Sequence, residues 1–175
     1  MMIDKKSTTD GLIDSPPLKV RVAMEEDAPI LLRFIKKLAQ YERLSHEVTV
    51  TEEALRKNLF GERRVAEAIL AEDQNGVVGF AVYFHNFSTF SGKMGIFIED
   101  LFVDESHRGR GFGLAMLVYI AKLAKDRGCG RLNWSVLDWN KPAIRFYERL
   151  GAVPLSEWTT YSITGEALDH LSKML

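Results

Sequence analysis

The stretch Glu99-Asp-Leu-Phe-Val-Asp-Glu-Ser-His-Arg-Gly-Arg-Gly-Phe-Gly-Leu-Ala constrains this chain more than any other. It begins in the run Ile96–Val103, which reads as a strand in the middle of a sheet. It passes through a short charged loop into Gly113–Arg127, a predicted helix with Leu114, Leu117, Val118, Ala121 and Ala124 turned inward and a stop at Gly128. Gly109, Gly111 and Gly113 remove side chains where backbone N–H groups must approach a ligand. The helix start adds unpaired donors and a positive dipole end, and His107, Arg108 and Arg110 bring further positive charge. A strand, loop and helix joined in this way make an anion site, and a diphosphate suits it.

Two familiar diphosphate loops do not fit. A Walker loop needs a Lys-Ser/Thr pair after its glycines, and none is present. A dinucleotide fingerprint needs a third glycine where this chain has Leu114. What remains is Arg-x-x-Gly-x-Gly at Arg108, Gly111 and Gly113. A second segment, Trp139-Asn-Lys-Pro-Ala-Ile-Arg-Phe-Tyr-Glu-Arg-Leu-Gly-Ala, predicts a helix over Pro142–Leu150 capped by Asn140, with Phe146 and Tyr147 on successive positions.

Around these segments the order is regular. Leu18–Val22 alternates as a strand, and Asp27 and Pro29 open a helix whose stripe is Ile30, Leu31, Phe34, Ile35 and Leu38. Thr51 starts a second, shorter helix. Ala68–Ala71 and Val77–Phe84 form a hairpin about Gln74-Asn75-Gly76. Arg131–Leu137 and Val153–Ile163 are further strands, and Glu166–Leu175 is a closing helix. Residues 1–17 read as a flexible arm and 18–175 as a single domain, an α/β mixed sheet with helices on its faces. The net charge of −1 gives no basis for nucleic-acid binding, and no apolar run approaches the ~20 residues of a membrane span. One cysteine, Cys129, rules out an internal disulfide and suits a cytoplasmic protein. It reads as buried filler, at the helix end that disfavours a thiolate. His46, His85, His107 and His170 lack metal-ligand spacing, so no metal is expected.

The Arg108–Gly113 pattern and the Asn140–Tyr147 segment together resemble the GNAT N-acetyltransferases. Within them the chain is similar to the spermidine/spermine (diamine) and thialysine acetyltransferases. The resemblance rests on Ile35-Lys-Lys-Leu-Ala-Gln-Tyr-Glu, Val78-Gly-Phe-Ala-Val-Tyr-Phe, Gly92-Lys93, Ile98-Glu-Asp-Leu-Phe-Val and the two motifs above, and spans roughly Val20 to Trp158. It implies a GNAT fold, with a mostly antiparallel twisted sheet of six to seven strands flanked by about four helices. It also implies acetyl-CoA as the donor and a small cationic amine as acceptor. Leu101, Phe102, Val103, Arg108, Gly109, Arg110, Gly111, Phe112, Gly113, Leu114, Asn140, Ala143 and Tyr147 are the expected cofactor residues. Tyr41, Glu42, Glu99, Asp100, Asn133, Trp134 and Glu157 are expected at the amine site, with Trp158 beside it. A homodimer is the expected assembly. Asn86–Ser91 lacks the Trp that polyamine enzymes tend to carry there, which leaves the amine open among polyamine, thialysine-like amino acid, aminoglycoside or peptide N-terminus. A CoA-binding module without turnover is the remaining alternative.

The chemistry sets what such a site must supply. An alkylamine of pKa near 10.4 is protonated at neutral pH, and freeing its lone pair costs roughly 4.5 kcal/mol. Glu99 is the expected base, acting through water, with Asp100 as its neighbour. Backbone N–H groups near Phe102 and Val103 are placed to polarise the acyl carbonyl. The hydroxyl of Tyr147 is expected to protonate the leaving sulfur in a direct, ternary-complex transfer.

Overall fold

In the computed structural model, which describes residues 18–175, the chain gathers into two units, 18–135 and 136–175. The arm expected over 1–17 lies outside the described residues. The first unit contains one five-stranded sheet: β1 (Lys19–Val22), β2 (Glu67–Asp73), β3 (Gly76–Ser88), β4 (Lys93–Val103) and β5 (Leu132–Trp134), in that spatial order. Every pairing is antiparallel except β4 with β5. Three helices belong to this unit: α1 (Ala28–Glu42), α2 (Glu52–Leu55, continued by a π turn over Arg56–Phe60) and α3 (Phe112–Asp126). The β2–β3 hairpin turns on Gln74-Asn75, with Gly76 at φ +124° pairing with Asp73. Only glycine takes that conformation without strain.

The face of the sheet under α1 holds an apolar cluster. Leu31 and Phe34 of α1 meet Leu70, Phe80, Val82 and Phe102 from the strands, with Phe34 at 6.1 Å from Phe80 and 6.4 Å from Phe102, ring to ring. α1 ends where Arg43 turns left-handed at φ +64° and the Leu44 N–H donates to the Ala39 carbonyl at 2.8 Å. That stop puts Tyr41 and Glu42 on its last turn.

α3 covers the other face, but not with the stripe the sequence suggests. Phe112, Met116, Leu117, Ile120 and Ala124 are buried, whereas Leu114 and Val118 are 42% exposed. The helix starts one residue early, at Phe112, and Met116 and Ile120 complete a better i, i+4 face against the sheet. Other expectations shift as well. Asp27 precedes α1 without capping it, because its carboxylate is taken by the Arg21 guanidinium (2.6 and 2.9 Å) and the Met24 N–H (2.8 Å). Thr51 does cap α2, accepting from the Ala54 N–H. Cys129 is half-buried rather than buried.

The second unit holds α4 (Lys141–Arg149) and α5 (Gly165–Leu171). The strand or hairpin arm expected over Val153–Ile163 has no ladder partner among the described residues. Val153, Leu155, Trp158 and Tyr161 are exposed, and an extended segment without a partner is not a strand. The sheet of the described residues therefore has five strands, against the six to seven expected, and the α-helices number five against about four. None of the described helices is long and apolar enough to cross a membrane.

Candidate active site

The β3–β4 register carries one irregularity, and it lies at the acidic pair. Val82 pairs with Asp100 and Tyr83 with Ile98, so Glu99 is an extra residue in a bulge. The bulge reverses which side chains face which helix. Beyond it, Asp100 shares a face with its partner Val82 and with Phe102, the face that α1 covers. Leu101 and Val103 point to α3, where both lie near Gly113. Glu99 itself is exposed.

Asp100 is half-buried, and burial pushes its carboxyl up to about 6, with the charges of Glu99 and Glu42 adding to the rise. Burial raises the Glu42 carboxyl as well. Sequence reasoning singles out Glu99 as the base. The geometry desolvates Asp100 rather than Glu99, a difference that only the bulge makes visible. Three acids, Glu42, Glu99 and Asp100, thus come from the end of α1 and the middle of β4.

Asn133 and Trp134 stand beside them. The β4–β5 ladder pairs Phe97 with Asn133 and Ile98 with Trp134 and ends there, one residue before the bulge. On the β5 side, residues 99–103 of β4 have no strand partner among the described residues, while β3 pairs on to Val103. A backbone edge is left open along Leu101, Phe102 and Val103.

The loop after β4 is held at several points. Lys37 of α1 forms an ion pair with Asp104, which keeps that carboxyl below the usual range. Arg108 turns back onto the protein: its Nε donates to the Val103 carbonyl at 3.1 Å, and its guanidinium lies 4.2 Å from the Tyr41 ring centre and 5.4 Å from that of Phe102. Tyr41 therefore braces the loop besides bordering the acidic cluster. Gly109 and Gly111 take φ of +75° and +88°, and a Cβ on Gly109 would meet nothing within 4 Å. Gly111 is the N-cap of α3 and supplies no side-chain cap to the first-turn N–H groups. This is the cradle a diphosphate needs, with Arg110 and His107 at its rim. The residues present fit the group.

In the second unit, Asn140 caps α4 as the sequence predicts, its Oδ1 accepting from the Ala143 N–H at 3.3 Å, with Pro142 in the first turn. Phe146 and Tyr147 are half-buried with ring centres 5.4 Å apart. Glu157 lies in an exposed turn. His85 belongs to neither group of site residues; it joins the bidentate Glu67–Arg127 pair that ties the end of α3 to β2. Among the described residues no three His, Cys, Asp or Glu are grouped to hold a metal ion.

These features are those of a known enzyme class. Residues 33–152 match the acetyltransferase (GNAT) family, and the chain belongs to it. It is an acetyl-CoA-dependent N-acetyltransferase acting on amines. It is 39% identical over 164 residues to the thialysine N-epsilon-acetyltransferase of Bos taurus, covering 87% of this chain and 96% of that one. It is 31% identical over 201 residues to the L-ornithine N5-acetyltransferase NATA1 of Arabidopsis thaliana, covering 89% and 88%. Among solved structures it is similar to an integron cassette protein of V. cholerae, with a TM-score of 0.75, 28% identity, and coverage of 89% and 98%.

Proposed function

We propose that the acceptor is the side-chain amine of a small amino acid of the thialysine or ornithine kind, rather than a long polyamine. The carrying observation is the Glu42, Glu99 and Asp100 cluster, which attracts an ammonium and contains one carboxyl poised near neutrality. The names of the two relatives above, both acting on amino acids with a terminal side-chain amine, support this reading. So does the Asn86–Ser91 segment, which lacks the Trp of the polyamine enzymes.

Acetyl-CoA, when bound, supplies an acyl thioester. Gly109–Gly113 and Leu114, with His107 and Arg110, hold its diphosphate, and Asn140 and Ala143 at the start of α4 complete the cofactor residues. Arg108 contributes by bracing the loop on Tyr41. The exposed Glu99 binds the ammonium, and Asp100 accepts its proton through water, so that the pair divides the work. The open edge of β4 offers the Val103 N–H to the acyl oxygen, whereas the Phe102 N–H, like that of Asp104, faces β3. Tyr147 gives its hydroxyl proton to the leaving sulfur, with amine and donor bound together. Asn133, Trp134 and Glu157 border the amine. The protein works as a cytoplasmic homodimer, and sedimentation of the purified protein checks the assembly.

The test is thiol release from acetyl-CoA against thialysine, ornithine, lysine, spermidine, putrescine and an aminoglycoside. The amino acids with a terminal amine are expected to give the highest kcat/KM, and Tyr147→Phe to lower kcat by about 100-fold or more. Spermidine as the best acceptor would overturn the substrate assignment. A Tyr147→Phe rate near wild type would overturn the acid.

A further inference from the structure

Asp73 closes the β2–β3 hairpin, far in sequence from every residue assigned above, yet it faces the phosphate loop. Its side chain is only 1% exposed. One oxygen serves the turn itself, since Oδ1 accepts from the Asn75 N–H at 2.8 Å. The other looks outward from the sheet, with Oδ2 lying 3.5 Å from the His107 Nε2 and 4.0 Å from the Arg110 Nη2. These are the imidazole and the guanidinium at the rim of the Gly109–Gly113 cradle.

His107 is held from both ends, because its Nδ1 lies 2.8 Å from the Ser106 hydroxyl, which in turn is 3.3 Å from the Asp104 Oδ1. Its ring also meets Phe112 edge-on, and Arg110 lies over the face of the same Phe112. A turn needs only one acceptor, so shaping the hairpin does not account for the second oxygen. A carboxylate placed behind the imidazole and the guanidinium fixes where the His107 ring stands and turns the remaining N–H groups of Arg110 toward whatever anion sits in front.

We infer that Asp73 is a positioning residue for the donor's diphosphate, acting through His107 and Arg110. The inference rests on reading Arg108–Gly113 as the diphosphate loop. It has a direct competitor, since a negative charge beside an anion site also repels. Orientation outweighs repulsion when the carboxylate is fixed and the Arg110 guanidinium stands between it and the ligand.

Asp73→Asn separates these effects, because the amide keeps an oxygen for the Asn75 N–H while the charge and the second acceptor are lost. The ratio of kcat/KM for acetyl-CoA to that for S-acetylpantetheine, which lacks the diphosphate, is measured in wild type and variant. Both donors are read on one preparation, so the folded fraction cancels. The ratio is expected to fall about tenfold, the scale of one charge-assisted hydrogen bond. The calorimetric Kd for coenzyme A should rise by the same factor. Backbone amides of residues 107–113 should exchange hydrogen faster in the ligand-free variant. A ratio that holds or rises overturns the role of Asp73 while leaving the loop reading intact. A wild-type protein with no preference for the intact donor overturns the loop reading, and this inference with it.

Discussion

At the scale of single residues, the site depends on which acid is desolvated. Glu99 and Asp100 are adjacent and chemically similar, and composition does not separate them. A one-residue bulge does, exposing the first and turning the second under α1. The consequence is a rate that depends on pH. Asp100 must be ionised to take a proton, so kcat/KM should rise with pH through about 6, the value its burial sets. Asp100→Asn should remove that limb and lower the rate, while Glu99→Gln should keep the limb and raise KM for the amine. A limb that persists in Asp100→Asn would return the proton to another group. The local geometry of the candidate site was legible in the sequence at this scale: the left-handed glycines and the Asn140 cap are marked by type and spacing. Asp73 was not, because a lone Asp beside Asn-Gly looks like any turn residue. The stacking of Arg108 on Tyr41 was hidden for a similar reason, since it joins residues sixty-seven positions apart.

At the scale of elements, the sequence marked each helix and the first five strands but misjudged where they met. Periodicity finds an apolar stripe from one helix alone; the buried face is chosen by the surface opposite. For α3 that surface includes the start of β3, where Gly79 leaves room for the chain of Met116. A Cβ on Gly79 would lie 2.7 Å from the Phe102 carbonyl oxygen and 3.3 Å from both the Met116 Cε and the Val103 Cγ2. The carbonyl belongs to a paired strand and cannot withdraw. Gly79→Ala should therefore cost about 2 kcal/mol, seen as a Tm lower by roughly 6 °C. A Tm within a degree of wild type would mean that α3 sits further from the sheet. The Val153–Ile163 expectation failed for a related reason: alternation states that a segment is able to pair, not that a partner is at hand.

At the scale of the whole molecule, stability and activity make opposite demands on the same carboxyl. Three acids are held below their usual range by hydrogen-bonded cations: Asp27 by Arg21, Glu67 by Arg127 and Asp104 by Lys37. The stability they add is present above the unfolded pKa and is lost as pH falls through the folded values. Asp100 runs the other way. Its folded value is raised, so the native state holds that proton more tightly than the unfolded chain, and its contribution is present in acid and lost as pH rises through about 6. At pH 7.5 the wild type bears the full cost of a desolvated charge. Asp100→Asn removes that cost and leaves the three ion pairs untouched, so the difference between variant and wild type isolates one group. Urea unfolding should show the variant more stable at pH 7.5, by on the order of 2 kcal/mol, with the gap closing toward pH 4. A variant equally stable at both pH values would mean that Asp100 is well solvated, and the assignment of the proton acceptor would fall with it. The same substitution should lower the neutral-pH rate, because in the proposed mechanism the charge that weakens the fold is the one that takes the proton.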